Sequence, residues 1–259
     1  MEVINKSSRV IRADAEKDID LINQYALKEL TADEVFCFSV VLCDNDIDRD
    51  YERFTDDSLT ALAKLFVGKT GITDHERRAG NQIARLYRCA VQNAESTTKD
   101  GEQLKQLVGS AYMVRNEATQ PLIEAISAGI MREVSISCAV SKAGCSICGS
   151  AFHYSWDDNN FKCEGNHSLG KKYDGKTCVR ELSKPLDAYE FSFVAVPAQR
   201  GAGVTKAFSN DDLIVKISAA ELSADEITRI MLICCGKQQS AESKANRERI
   251  LAENEKFLH

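Results

Sequence analysis

Five residues in one polar stretch have the types and spacing that bind a soft metal ion: Cys145-x2-Cys148, Cys163-x3-His167 and Cys178. Thiolates two residues apart in a tight turn can share one tetrahedral ion, and a second pair can close the site. Thiolate and imidazole ligands favour Zn²⁺, in a closed structural role. Five candidates exceed the usual four ligands, so Cys163, His167 and Cys178 compete for the places that Cys145 and Cys148 leave. A second set has the types needed for acyl transfer. A serine is inert at neutral pH until a base takes its proton and a third group orients that base. Of four histidines one is the final residue, and His75 stands in the segment TDHE, after a glycine. Ser135 and Ser137 project from one face of the alternating run EVSISCAVS, and Glu190 opens the apolar run FSFVAV. A carboxylate there is costly unless it has a partner. His75, Ser135 and Glu190 supply base, nucleophile and orienting acid, although by type alone such residues are more often surface groups.

These groups need elements to position them. The β-branched and aromatic run VFCFSVVL, from Val35 to Leu42, predicts a buried strand that Asp44, Asn45 and Asp46 end. The acidic stretch DNDIDRDYERF lacks the glycine and the bidentate glutamate of a calcium loop, so it reads as a charged connection. Thr55 caps a predicted helix with Leu59, Leu62, Ala63 and Phe66 on one stripe, ending near Gly68. Gly68-Lys69-Thr70 is no phosphate loop, because residue 63 is alanine and the trio follows a helix instead of opening one. Strands are expected over 83–91 and 106–114, and a helix from an Asn116 cap to Gly129. In EVSISCAVS, Val134, Ile136 and Cys138 share the face opposite the serines. The cysteine-rich insertion, residues 143–180, interrupts the sheet before AYEFSFVAVP resumes it. Residues 1–34 read as an arm with one helix near Asp18 to Leu30. A capping box at Ser223 to Glu226 opens a helix in the last segment, 206–259, whose charged end is a second helix or a tail for a partner.

With 259 residues, 44% hydrophobic and 28% charged, the chain can bury one substantial core, and the class is α+β. A formal charge of −6 argues against bulk electrostatic coating of nucleic acid. No window is apolar for the roughly 18 residues of a membrane span, and charges run through the first residues where an export signal would be apolar. The expectation is a protein that stays in the compartment where it is made. There its ten cysteines are thiols and not a disulfide framework: Cys37, Cys43, Cys89 and Cys138 lie in apolar runs as small core residues. Cys234 and Cys235 end an apolar helical stretch in the same way.

The order DRDYERF, then TDHE with NQIARL, then EVSISCAV, then YEFSFVAVPAQRGAG resembles the phage prohead (capsid maturation) protease family over about residues 35 to 205. Its most specific part is the ending E-x-S-x-V-x-x-P-A. The resemblance implies the fold of the herpesvirus assembly proteases, a mostly antiparallel β-barrel flanked by helices, here with a zinc-ribbon-like insertion and a helical C-terminal segment. It also implies a serine endopeptidase with His75 as base, Ser135 as nucleophile and Glu190 as orienting acid. Its substrates would be scaffold and major capsid protein, and itself, inside the assembling prohead in the cytoplasm of a bacterial host, and the chain is expected to self-associate. Ser137 replaces the glycine of the family's S-I-G segment, so the choice between Ser135 and Ser137 stays open. The alternative is a non-enzymatic zinc-ribbon module that binds protein or nucleic acid, given the local basic character of Lys162, Lys171, Lys172, Lys176 and Arg180.

Overall fold

The structure, a computed structural model, describes residues 14–207. The helices expected at Ser223 and beyond, and Cys234 and Cys235, lie outside them. The chain order is α1 (Ala15–Asn23), β1 (Val35–Asp44), β2 (Glu52–Phe54), α2 (Asp56–Phe66), β3 (Thr70–Thr73), β4 (Ala84–Thr97), β5 (Gln103–Val114) and α3 (Gln120–Ser127). It continues with β6 (Val134–Cys145), four short strands β7 (Phe152–Ser155), β8 (Asn160–Cys163), β9 (Lys172–Tyr173) and β10 (Lys176–Thr177), then β11 (Arg180–Phe193) and β12 (Gly203–Ala207).

The main sheet runs β12-β1-β5-β4-β3-β11, with β2 and β6 also on β11. Pairing is antiparallel except for β2 and β3, which run parallel to β11. The α+β class holds, but the sheet is mixed and is not the closed barrel that the resemblance implies. Closure would need a continuous ladder between its ends. Instead β12 meets the start of β6 at the single bridge between Glu133 and Gly203.

Every residue of β1 is buried, and the reason differs by face. Phe36, Phe38, Val40 and Leu42 join the main core with Leu59, Leu62 and Phe66 of α2, Leu86, Leu107, Phe191 and Phe193. Val35 and Cys37 instead pack with Ile22 of α1, Tyr87 and Tyr112. Residues 15–23 thus cover the outer face of the sheet, and Asp18 is buried there with the Tyr87 hydroxyl 2.9 Å away and the Arg88 guanidinium beside it. Thr55 caps α2 as its sequence predicts, accepting from the Ser58 amide. The third helix begins later than expected, because the Asn116 side chain caps a turn through the Ala118 and Thr119 amides and Pro121 occupies the first helical turn.

The β6–β11 hairpin carries the candidate metal ligands at its tip and, of the second set, both serines and Glu190, while His75 comes from the turn after β3. Its ladder extends from Val134 opposite Phe193 to Cys145 opposite Arg180, with irregularities between Pro185 and Asp187 and between Ala188 and Glu190. The insertion is the elaborated tip of this hairpin. Cys145 lies ten residue steps beyond Ser135, so the two sites are about 33 Å apart along β6.

Candidate functional site

The site at the open end of the hairpin is assembled from three strands. β3 runs parallel to β11 with Thr70 opposite Glu190 and Thr73 opposite Phe193. The strands approach so closely that Gly71 is required: a Cβ there would overlap the Phe191 ring. The ladder continues one step past β3, the Asp74 amide donating to the Phe193 carbonyl at 3.0 Å. Asp74 and His75 then adopt left-handed backbone, with φ of 52° and 54°. That turn brings the His75 amide to the Ser192 hydroxyl at 3.1 Å and its Nδ1 to Glu190 Oε1 at 2.9 Å. Asn81 holds the loop from behind, bonding Thr73 Oγ1 and the Thr73 and Glu76 carbonyls, each at 3.0 Å.

Glu190 is 2% exposed, which for a carboxylate demands partners for both oxygens. Oε1 has the His75 ring, and Oε2 accepts from the Ser192 hydroxyl at 2.8 Å. An ionised carboxylate only accepts, so a neutral His75 bonded to it carries its proton on Nδ1 and has its lone pair on Nε2. On β6, Ser137 lies opposite Glu190 and Ser135 opposite Ser192. The four side chains therefore share one face of the hairpin, while Val134, Ile136, Phe191 and Phe193 take the core face as the alternation predicts. The two serines differ in their partners. The Arg77 guanidinium donates to the Ser137 hydroxyl and lies over the Tyr189 ring, 4.9 Å from its centroid. Ser135 has no side-chain hydrogen bond to another described residue.

Sequence reasoning names His75, Glu190 and both serines but misses Ser192 and Arg77. Ser192 is the serine of the E-x-S segment itself, so the spacing offers a signal, although nothing in it says that this hydroxyl faces the carboxylate. Arg77 follows His75 by two residues among other charged residues and has no distinguishing sequence feature.

At the hairpin tip, the candidate ligand atoms of Cys145, Cys148, Cys163 and His167 lie within 4.8 Å of one another, and the cluster could hold a metal ion. The sulfurs of Cys148 and Cys163 are 3.5 Å apart, and His167 Nδ1 is 3.4 Å from Cys163 and 3.8 Å from Cys145. Thiolates at tetrahedral zinc are about 3.7 Å apart, given bonds of about 2.3 Å. Two turns present these atoms. The Ile147 amide points at Cys145 Sγ at 3.4 Å, and the His167 amide at Cys163 Sγ at 3.3 Å. At Cys145 burial raises the thiol pKa, and the Ile147 amide works against that rise. The hydroxyl of Ser150 draws the exposed Cys148 thiol down to about 6. Cys178, the fifth candidate, lies outside the four-residue group but 3.6 Å from Cys145, and burial pushes its thiol up to about 12. Cys37, Cys43, Cys89 and Cys138 are free thiols whose pKa burial raises, in keeping with core packing.

The rejected motifs have structural roles. Asp44 and Asp48 cap turns, accepting from the amides of Asp46, Asp50 and Glu52. Lys69 pairs with Asp187 at 3.1 Å, and Thr70 begins β3. Among the described residues no helix is long and apolar enough to cross a membrane. No protein-family model, curated protein or solved structure matches this chain.

Proposed function

We propose that this chain is a serine endopeptidase of the prohead protease type, which cleaves scaffold and major capsid protein, and itself, during phage head assembly. The observation that carries the catalytic reading is the bond between His75 Nδ1 and the buried Glu190 carboxylate, made by residues 115 apart in the chain beside a pair of strand serines. In this reading Nε2 of His75 takes the proton of Ser135 as its oxygen attacks the scissile carbonyl. Glu190 fixes the tautomer and stabilises the imidazolium. His75 Nε2 then returns the proton to the leaving amine, and water repeats the cycle on the acyl-enzyme. Ser135 is preferred to Ser137 because Arg77 donates to the Ser137 oxygen and takes one of its lone-pair positions, whereas no described side chain does so at Ser135. The substrates, the action within the prohead and its bacterial host rest on the resemblance of the motifs alone.

The metal at the tip is proposed to be structural Zn²⁺, held by Cys145, Cys148, Cys163 and His167. It would fold a segment whose apolar side chains Ile147, Phe152 and Tyr173 are only partly buried and gather around the cysteines themselves. A second reading, a ribbon that binds protein or nucleic acid without catalysis, is favoured by one observation. Trp156 is 86% exposed and stacks edge-on against Tyr154, which also meets Phe161. Labelling with a fluorophosphonate, followed by peptide mapping, separates the two. The peptidase reading expects a single adduct on Ser135 that is absent from His75→Ala, whereas no adduct on either strand serine favours the binding module.

A further inference from the structure

We infer that Ser192 is a positioning residue that holds both ends of His75, so that the site depends on four residues and not three. This rests on the peptidase reading for its catalytic consequence, but the geometry is independent of it. Ser192 is fully buried. A serine hydroxyl has one donor and two acceptor positions. Here the donor goes to Glu190 Oε2 at 2.8 Å and an acceptor position receives the His75 amide at 3.1 Å. One oxygen therefore joins the carboxylate that orients the imidazole to the backbone from which the imidazole hangs.

Each bond answers a specific need. The terminal torsion of a glutamate is broad, so a carboxylate bonded through one oxygen alone does not aim that oxygen sharply. With Oε2 tied to Ser192, Oε1 is aimed at Nδ1. On the other side, Asp74 and His75 are successive non-glycine residues with positive φ, a conformation that persists only where surrounding bonds impose it. The Asp74 amide bond to Phe193 fixes the first of the two, and the Ser192 bond fixes the second. Ser192 also faces Ser135 across the ladder, placing this clamp between the proposed base and the proposed nucleophile.

The test uses the full chain labelled with ¹⁵N-histidine, together with cleavage of the purified capsid protein over a range of concentrations. In the wild type, the His75 Nδ1 proton should give an exchange-protected resonance, identified by its loss in His75→Gln. Ser192→Ala should lose that protection and show mixed ring tautomers while remaining folded. Its kcat should fall about 10- to 100-fold with KM within about twofold. Ser192→Thr keeps the hydroxyl and should keep the resonance. Loss of the resonance in both folded variants would assign the effect to disturbed packing and overturn the proposal. So would its survival in Ser192→Ala, or its absence from the wild type. A resonance that depends on the Ser192 hydroxyl in a wild-type protein that cleaves nothing would uphold the clamp and sink the peptidase reading.

Discussion

Two serines separated by one residue on the same strand face unequal surroundings, and mutation should tell them apart. Ser135→Ala is expected to abolish cleavage, a loss of about 10⁴-fold or more, with little change in melting temperature, since removing a hydroxyl from a half-buried strand face opens no core cavity. His75→Ala should match it. Glu190→Gln keeps an oxygen to accept from Nδ1 but no charge, so its effect should be smaller, and added to Ser135→Ala it should change almost nothing. Ser137→Ala should remain active; an inactive Ser137→Ala beside an active Ser135→Ala would move the nucleophile two residues along β6. Asp44 offers a separate measurement. Burial raises its carboxyl to about 6, so the folded chain binds this proton more tightly than the unfolded chain does. Stability from this group therefore falls as pH rises from about 4 to about 6. Asp44→Asn should raise stability at pH 7 by on the order of 2 kcal/mol, and the gain should vanish near pH 4, as read by denaturant unfolding at both values.

At the scale of elements, the hairpin tip makes its own prediction. The purified chain should carry about one zinc per molecule by elemental analysis, and Cys145→Ser with Cys148→Ser should remove it. Cys178→Ser, by contrast, should retain the metal, since four other donor atoms already lie within 4.8 Å of one another. Much of this was legible in the sequence because short-range chemistry writes it there. Cysteine spacing marks the two turns of the cysteine and histidine cluster, the run from Val35 to Leu42 marks a strand buried on both faces, and alternation puts Ser135 and Ser137 opposite Ile136. What pairs with what was not legible. The two-residue period of a strand says which side chains share a face but not that β2 and β3 run parallel to β11. Ser192 was hidden for the same reason, since only the neighbouring strand reveals what its hydroxyl meets. The four clustered candidates could be separated from the fifth only in space, because Cys178 is the same residue type as Cys163 and equally buried, and only its place outside the group sets it apart.

For the molecule as a whole, residues 15–23 act as part of the fold rather than as an appendage. Ile22 is fully buried against Val35, Cys37, Tyr87 and Tyr112, so Ile22→Ala should cost about 2–4 kcal/mol in denaturant unfolding. At the other end β12 pairs with β1 through Ala207, so a truncation that respects the sheet ends after residue 207. It retains every candidate site residue and is expected to keep peptidase activity and melting temperature; a folded but inactive truncation would give residues 208–259 a part in catalysis. The long hairpin has a consequence in time. Cys145 and Cys178 are 33 residues apart, and two strands joined by so long a connection meet slowly, because the ends of the loop must find each other before any ladder bond repays the lost freedom. A metal captured by the cluster would draw the connection together while the strands are still apart, leaving a short closure from which β6 and β11 could zip towards Phe193. The order of events would then be ion first, ladder second, and the meeting of His75, Glu190 and the strand serines last.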